Sequence, residues 1–257
     1  MNKLDELFSR KQHNILNIYC TAGFPKVDST TALMLALQQN GADIIELGIP
    51  YSDPVADGPV IQQSNMQALE NGMTIELLFS QLATVKEQLH IPVILMGYIN
   101  PVLQFGVEKF CKRAAACGVA GIILPDLPMY EYEKKYKTIF DQYNLHIIFL
   151  VSPLTSKERI KKADELSGGF LYAVSSSSTT GSVNSAEDKT SYFKKIKHMQ
   201  LRNPVLIGFG IKDKATYDEA SAYGAGAIIG TAFIRHIANA DDLGQATGTF
   251  ITAIRGN

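Results

Sequence analysis

Residues 43–48 read DIIELG, a short apolar run in which Glu46 lies between isoleucine and leucine. The run is nearly continuous in apolar character, which is typical of a strand covered on both faces in a parallel sheet. Seven more runs of this kind recur along the chain, at ILNIYC (15–20), PVILMG (92–97), VAGIILP (119–125), LHIIFLV (145–151), GFLYAV (169–174), PVLIGF (204–209) and AGAIIG (225–230).

Segments with helical spacing of apolar residues lie between these runs. The segment TTALMLALQQ (30–39) ends before Asn40-Gly41, a sequence typical of a helix C-cap. Eight strand–helix alternations predict an α/β fold, a single (β/α)8 TIM barrel over residues 1–257 with an extra N-terminal helix. A doubly wound sheet is the alternative, although it more usually has five or six strands. The other predicted helices cover residues 75–89, 108–117, 130–142, 156–166, 186–199, 214–223 and 246–254.

Composition excludes several classes of function. The 257 residues are 46% hydrophobic and 19% charged, and the formal net charge of −1 offers no electrostatic basis for binding nucleic acid or an anionic membrane. No apolar run approaches the ~20 residues of a membrane span, and the charged N-terminus lacks the apolar core of a signal peptide. Three cysteines without paired spacing (Cys20, Cys111 and Cys117) indicate buried thiols in a reducing, cytoplasmic compartment.

The stretch ELGIPYSDPVADGPVIQ (46–62) holds the candidate catalytic acids. In a barrel, catalytic groups lie at the C-terminal ends of strands and on the loops that follow, which places both Glu46 and Asp57 at that face. A buried setting raises the pKa of a carboxyl group, which suits proton donation near neutral pH. The alternatives are that Glu46 only orders a loop through backbone N–H groups, and that Asp53 and Asp57 are ordinary turn formers.

Glycines late in the chain predict a phosphate site. GFG (208–210) and GT (230–231) follow the last two runs, where TIM barrels often bind phosphate through loops and a helix N-terminus. Plain tight turns are the alternative, whereas a dinucleotide fingerprint fails because Asp213 stands where the third glycine should fall. SSSSTTG (175–181) is either a disordered excursion or a lid over substrate. Without a Ser/His/Asp order or a metal motif, these residues predict carboxylate acid–base chemistry on a phosphorylated small molecule.

Taken together, these residues make the chain resemble the tryptophan synthase alpha chain family. ELGIPYSDPVADGPVIQ is similar to that family's signature almost position for position, and further motifs follow in the family's order across nearly the whole chain. The resemblance implies a retro-aldol lyase of tryptophan biosynthesis that cleaves indole-3-glycerol phosphate to indole and glyceraldehyde 3-phosphate without a cofactor of its own. The further motifs are CTAGFP (20–25), MGYINP (96–101), PDLP (125–128), YAVSSSSTTG (172–181), IGFGI (207–211) and IGTA (229–232).

The resemblance also implies a role for each site residue. Glu46 is the acid–base group that protonates indole C3 and removes a proton from the glycerol hydroxyl. Asp57 accepts a hydrogen bond from the indole N–H and stabilises the indolenine cation as it forms. Tyr172 lies beside these acids in the substrate site, and Thr180 is the lid threonine that contacts the aspartate on closure. Backbone at four positions holds the phosphate, at Gly181, Gly210, Gly230 and Thr231.

The partner implied by the resemblance is a β chain that carries pyridoxal phosphate and receives the indole, in an α2β2 heterotetramer. Ser176 and Ser178 depart from the family's lid, which usually carries an arginine and an earlier glycine there. The alternatives to this function are a regulatory α subunit that only activates a β chain, and a neighbouring barrel enzyme of aromatic biosynthesis, which should show a strand lysine that this chain lacks. The loops used against the partner contain Pro50, Asp53, Asn100 and Pro101.

Overall fold

The computed structural model describes residues 1–174, 186–208 and 210–256, of which 186–189 are described by their backbone alone. Nine strands lie in this part of the chain: β1 (Ile15–Thr21), β2 (Ile44–Gly48), β3 (Val93–Met96), β4 (Val119–Ile123), β5 (His146–Ile147), β6 (Leu150–Val151), β7 (Leu171–Val174), β8 (Val205–Gly208) and β9 (Gly226–Ile229). They form one sheet in the order β5-β4-β3-β2-β1-β9-β8-β7-β6, and every pairing in it is parallel.

The segment 145–151 closes this sheet into a barrel. One strand is predicted there, whereas the structure has two short strands, β5 pairing with β4 and β6 pairing with β7. Backbone hydrogen bonds continue across the break, from Ile148 N to Ile122 O (3.0 Å) and from Tyr172 N to Phe149 O (3.1 Å). β5 and β6 therefore occupy one of the eight strand positions of the barrel, and the predicted (β/α)8 barrel is confirmed.

Helices alternate with these strands around the barrel. Where apolar spacing is clear, their bounds agree with the predicted segments to within a few residues. The segment 130–142, predicted as one helix, contains a π-helix at Tyr132–Tyr136 between two short α-helices. The α-helices of the described chain are α1 (Lys3–Arg10), α2 (Ser29–Gln39), α3 (Pro59–Glu70), α4 (Ile75–Val85), α5 (Ile99–Phe105), α6 (Val107–Ala116), α7 (Met129–Glu131), α8 (Lys137–Gln142), α9 (Lys157–Leu166), α10 (Ala186–His198), α11 (Lys214–Tyr223), α12 (Thr231–Ile237) and α13 (Leu243–Arg255).

Three helices at the mouth of the barrel, α3, α5 and α12, are not predicted from the sequence. The end of the stretch 46–62 is therefore helical, because α3 begins at Pro59, the first helical position, where proline is favoured. The sequence of α3, PVIQQSNMQALE, has no continuous apolar stripe, so periodicity does not reveal it. These helices follow β2, β3 and β9 and surround the catalytic face.

Helix α1 covers the other end of the barrel, as the predicted N-terminal helix. Asn2 caps it by accepting a hydrogen bond from Leu4 N (2.9 Å), and its Nδ2 donates to Ala120 O (2.8 Å) at the start of β4. Leu4 is fully buried. Gly169 has a φ of +74°, and a Cβ there would collide with the side chain of Leu4. Because this end is packed, the functional site is left to the C-terminal ends of the strands.

The core lies where the apolar runs predict it. Strands β1 to β4, β7 and β9 are buried along their whole length. The three cysteines are unpaired and buried. In the described part of the chain, no helix combines the length and the apolar character needed to cross a membrane.

Candidate active site

Glu46 lies on β2, where Tyr19 of β1 and Ile94 of β3 are its register partners. It is 1% exposed, and Asn17 Nδ2 donates a hydrogen bond of 2.7 Å to its Oε2. Burial raises the pKa of Glu46 to about 8; the hydrogen bond from Asn17 opposes the rise, and the charge of Asp57 adds to it. Glu46 is therefore mainly protonated at neutral pH and can donate a proton.

Asp57 lies in the loop between β2 and α3. Its backbone N–H donates to Pro54 O (3.1 Å), and its Oδ2 accepts a hydrogen bond from the Tyr98 hydroxyl (3.0 Å). The same Tyr98 oxygen accepts from Ala56 N (3.0 Å), which fixes the loop on both sides of the contact. Burial raises the pKa of Asp57 to about 6, and the Tyr98 hydrogen bond opposes this rise. At neutral pH Asp57 is mainly ionised while Glu46 is mainly protonated.

Both acids line a single cavity of about 270 Å³ at the C-terminal ends of the strands. The side chains of Tyr19, Met96 and Ile228 give it an apolar wall. Glycines and the start of α12 form another part of the same wall. The structure thus brings six of the predicted site residues to this cavity: Glu46, Asp57, Tyr172, Gly210, Gly230 and Thr231.

Two tyrosine rings depend on glycines in neighbouring strands. A Cβ at Gly208 would overlap the ring of Tyr172, and a Cβ at Gly48 would overlap the ring of Tyr19. Burial, with the nearby acids, raises the pKa of both tyrosine hydroxyls well above the ordinary value, so both stay protonated. Tyr172 is predicted from the sequence, whereas Tyr19 is not. The signal for Tyr19 is its position beside Glu46 once β1 and β2 are paired.

The start of α12 offers backbone donors to the cavity. Gly230 precedes the helix without a side-chain cap, and Thr231 is its first residue. The first N–H groups of a helix lack intrahelical partners, so they can donate to phosphate oxygens. Gly210, with a φ of +79°, lines the same cavity. So do Lys212 and Arg235, two cations that sequence analysis does not predict for this site.

The residues predicted for partner contact differ in exposure. Asp53 and Asn100 are exposed and Pro101 is partly buried, whereas Pro50 is buried and can only support the loop from within.

Two exposed apolar side chains stand near these positions in the sequence. Val55 is 71% exposed and Leu103 is 46% exposed, both in segments that follow strands at the mouth of the barrel. Neither residue is predicted from the sequence, because exposure depends on how the loops pack.

Some predictions fall outside the described residues. Thr180, Gly181 and the serine run with Ser176 and Ser178 lie within 175–185. In the part of the chain that is described, no three side chains of histidine, cysteine, aspartate or glutamate are grouped to hold a metal ion.

The sequence and the fold of this chain are similar to those of known proteins. The sequence model of the family described as "Tryptophan synthase alpha chain" matches residues 6–255. A tryptophan synthase alpha chain of Christiangramia forsetii is 49% identical over 238 residues, which are 92% of this chain and 93% of that protein. The crystal structure of tryptophan synthase subunit alpha from Legionella pneumophila superposes with a TM-score of 0.90 at 32% identity, over 100% of this chain and 98% of that one. A chain of tryptophan synthase from M. tuberculosis, in an aminoacrylate-bound form, gives a TM-score of 0.86 at 29% identity, covering 99% of this chain and 100% of that one.

Proposed function

Since the chain belongs to the tryptophan synthase alpha chain family and cleaves indole-3-glycerol phosphate to indole and glyceraldehyde 3-phosphate, we propose that Glu46 and Asp57 divide the chemistry of this cleavage between them. One observation carries the proposal. The two acids line one cavity with different pKa values, about 8 for Glu46 and about 6 for Asp57. Near neutral pH the site therefore holds one proton donor and one anion.

The proposed reaction conserves protons. Glu46 gives its proton to indole C3, which makes the ring nitrogen cationic. The Asp57 carboxylate accepts a hydrogen bond from that N–H and stabilises the positive charge. The Glu46 carboxylate then takes the proton of the hydroxyl on the carbon attached to C3. The carbon–carbon bond breaks, its electron pair returns to the indole ring, and the alcohol carbon becomes the aldehyde. Glu46 ends the cycle protonated, ready for the next substrate.

We further propose that the backbone at Gly210, Gly230 and Thr231 binds the substrate phosphate. Support comes from the uncapped start of α12 and from the position of all three residues on the cavity wall. Lys212 and Arg235 line the same cavity and add positive charge for the phosphate. The roles of Thr180 and Gly181 stay predictions from the family motif.

For the partner, we propose a β chain that carries pyridoxal phosphate, joined in an α2β2 assembly in the cytoplasm. The contact surface would contain the exposed Asp53 and Asn100 together with Val55 and Leu103. Apolar side chains exposed at a loop-lined mouth are typical of a protein contact surface.

Purified protein with indole-3-glycerol phosphate, with and without a β chain, tests the assignment by indole release. Glu46→Gln should abolish turnover while leaving far-UV circular dichroism and glycerol phosphate binding as in wild type. Glu165→Gln, on an exposed helical position, is the matched control and should release indole at the wild-type rate. If Glu46→Gln keeps near wild-type turnover, the proton-transfer role belongs to another group.

The partner surface is tested separately with Leu103→Asp. This variant should keep the activity of the isolated chain and lose stimulation by the β chain. Met66→Asp, at a methionine of α3 with a similar exposure of 45%, should keep the stimulation. Full stimulation of Leu103→Asp would remove α5 from the proposed contact.

A further inference from the structure

Asn17 on β1 is a buried amide whose place is not explained by packing. Its side chain is 0% exposed, and its register partners, Ile44 and Ile228, are both apolar. Its Oδ1 has no hydrogen-bond partner among the described residues. A buried polar atom left without a partner destabilises a fold, and an apolar side chain would fill the same space without that penalty. The residue therefore calls for a reason other than packing.

The other polar atom of the Asn17 side chain, Nδ2, contacts the candidate catalytic acid. It donates a hydrogen bond of 2.7 Å to Glu46 Oε2. Building on the acid–base role proposed for Glu46, we propose that Asn17 is a positioning residue: it keeps Oε2 as a hydrogen-bond acceptor, so that Oε1 carries and delivers the proton to the substrate.

The chemistry of the two groups supports this division. An amide N–H donates to an oxygen lone pair and cannot accept a hydrogen bond. A proton on Oε2 that pointed toward Asn17 would therefore face another hydrogen and have no acceptor. Oε2 can accept from Asn17 both as the carbonyl oxygen of the acid and as an oxygen of the carboxylate. Glu46 lines the cavity and Asn17 does not, so the amide reaches Glu46 without occupying substrate space. One contact therefore holds the carboxyl group through both halves of the proton cycle.

Several ionisable groups interact electrostatically with Glu46. Asp57 repels the ionised form of Glu46, and Tyr19, Tyr172 and Cys20 are neutral acids that interact with its charge. Burial and the charge of Asp57 favour the protonated form of Glu46, whereas the hydrogen bond from Asn17 favours its carboxylate. Without it, the carboxylate that must take the hydroxyl proton is harder to form.

Asn17→Leu tests the proposal, because leucine has the branched shape of asparagine, although its methyl groups are larger, and it cannot donate a hydrogen bond. We expect kcat at pH 7 to fall about tenfold, the KM to stay within about twofold, and the alkaline limb of the pH–rate profile to move up by about one pH unit. Asn17→Ser is the second variant, for use if the leucine variant does not fold. Serine is smaller than asparagine, so it cannot overpack the core, and it should move the limb in the same direction. Ser167→Ala is the control. It removes the buried hydrogen bond that Phe149 N donates to Ser167 Oγ (3.1 Å), and it should leave the limb in place because Ser167 precedes β7 at the other end of the barrel.

The outcomes separate this inference from the proposed function. If Glu46→Gln turns over like wild type, or wild type shows no alkaline limb, the acid–base role of Glu46 fails and this inference with it. If wild type shows the limb and it stays in place in a folded Asn17 variant, only the role of Asn17 is refuted. An equal shift in Ser167→Ala would also refute it, since general destabilisation would then explain the change.

Discussion

Replacing Glu46 with glutamine keeps the shape of the side chain and removes its titration, so it measures what the fold loses by burying this acid. The pKa of Glu46 is about 8 in the folded chain against an ordinary value of 4.5, which the unfolded chain has. Between these values the unfolded chain has released the proton and the folded chain has kept it. The contribution of Glu46 to wild-type stability therefore falls as pH rises from 4.5 to about 8, by about 1.4 kcal/mol per pH unit.

Glutamine does not titrate, so the free energy of unfolding of Glu46→Gln should exceed that of wild type by a margin that grows with pH. The margin should increase from about 1 kcal/mol at pH 5 to about 3 kcal/mol at pH 7. Urea unfolding followed by far-UV circular dichroism at both pH values measures it. Asp57 titrates in both proteins, so the comparison largely removes its contribution.

Glu165→Gln, where the side chain is 69% exposed, is the control and should show the same difference from wild type at both pH values. A margin for Glu46→Gln that does not change between pH 5 and pH 7 would refute the reasoning. Glu46 would then be ionised in the folded chain at neutral pH and unable to begin turnover as an acid.

Three further substitutions test other parts of the site. Tyr98→Phe removes the hydrogen bond that lowers the pKa of Asp57, so the acid limb of kcat/KM should move up from about pH 6; an unchanged limb would remove Tyr98 from the control of Asp57. Gly208→Ala places a methyl group against the Tyr172 ring and should lower stability by about 1–3 kcal/mol and reduce kcat, whereas wild-type melting and kinetics would contradict the packing described. Arg235→Ala should raise the KM several-fold at nearly constant kcat, and a fall in kcat alone would argue against a phosphate-binding role.

The strands are predictable from the sequence because burial on both faces selects apolar residues at nearly every position. Ile44–Gly48 is an example, and Glu46 is conspicuous in it because its neighbours are apolar. The break between β5 and β6 is not predictable, since LHIIFLV is apolar throughout while its pairing changes from one neighbour to the other. Helices α3, α5 and α12 are not predictable from apolar periodicity, because they are short or polar and pack at the mouth of the barrel without a clear apolar stripe.

Some site residues are predictable from local sequence, whereas others are placed in the site only by the fold. Glu46 and Asp57 are found from one stretch, because a buried acid and a stiff loop are local features. Asn17 and Tyr19 require the parallel register of β1 on β2, which no local pattern specifies. Arg235 requires the direction in which α12 leaves the barrel, and only the fold places it on the cavity wall.

The division of roles between a protonated Glu46 and an ionised Asp57 is best measured by the pH dependence of kcat/KM for indole-3-glycerol phosphate, because this quantity reports the ionisation of the free enzyme. We expect a bell-shaped profile with a maximum near pH 7, an acid limb near the pKa of Asp57 (about 6) and an alkaline limb near that of Glu46 (about 8). The substrate phosphate also titrates at about pH 6, so only the alkaline limb reports the enzyme alone. The value of kcat/KM at pH 9 should be about one tenth of that at pH 7. A value at pH 9 equal to or above that at pH 7 would contradict the claim that Glu46 begins turnover in its protonated form.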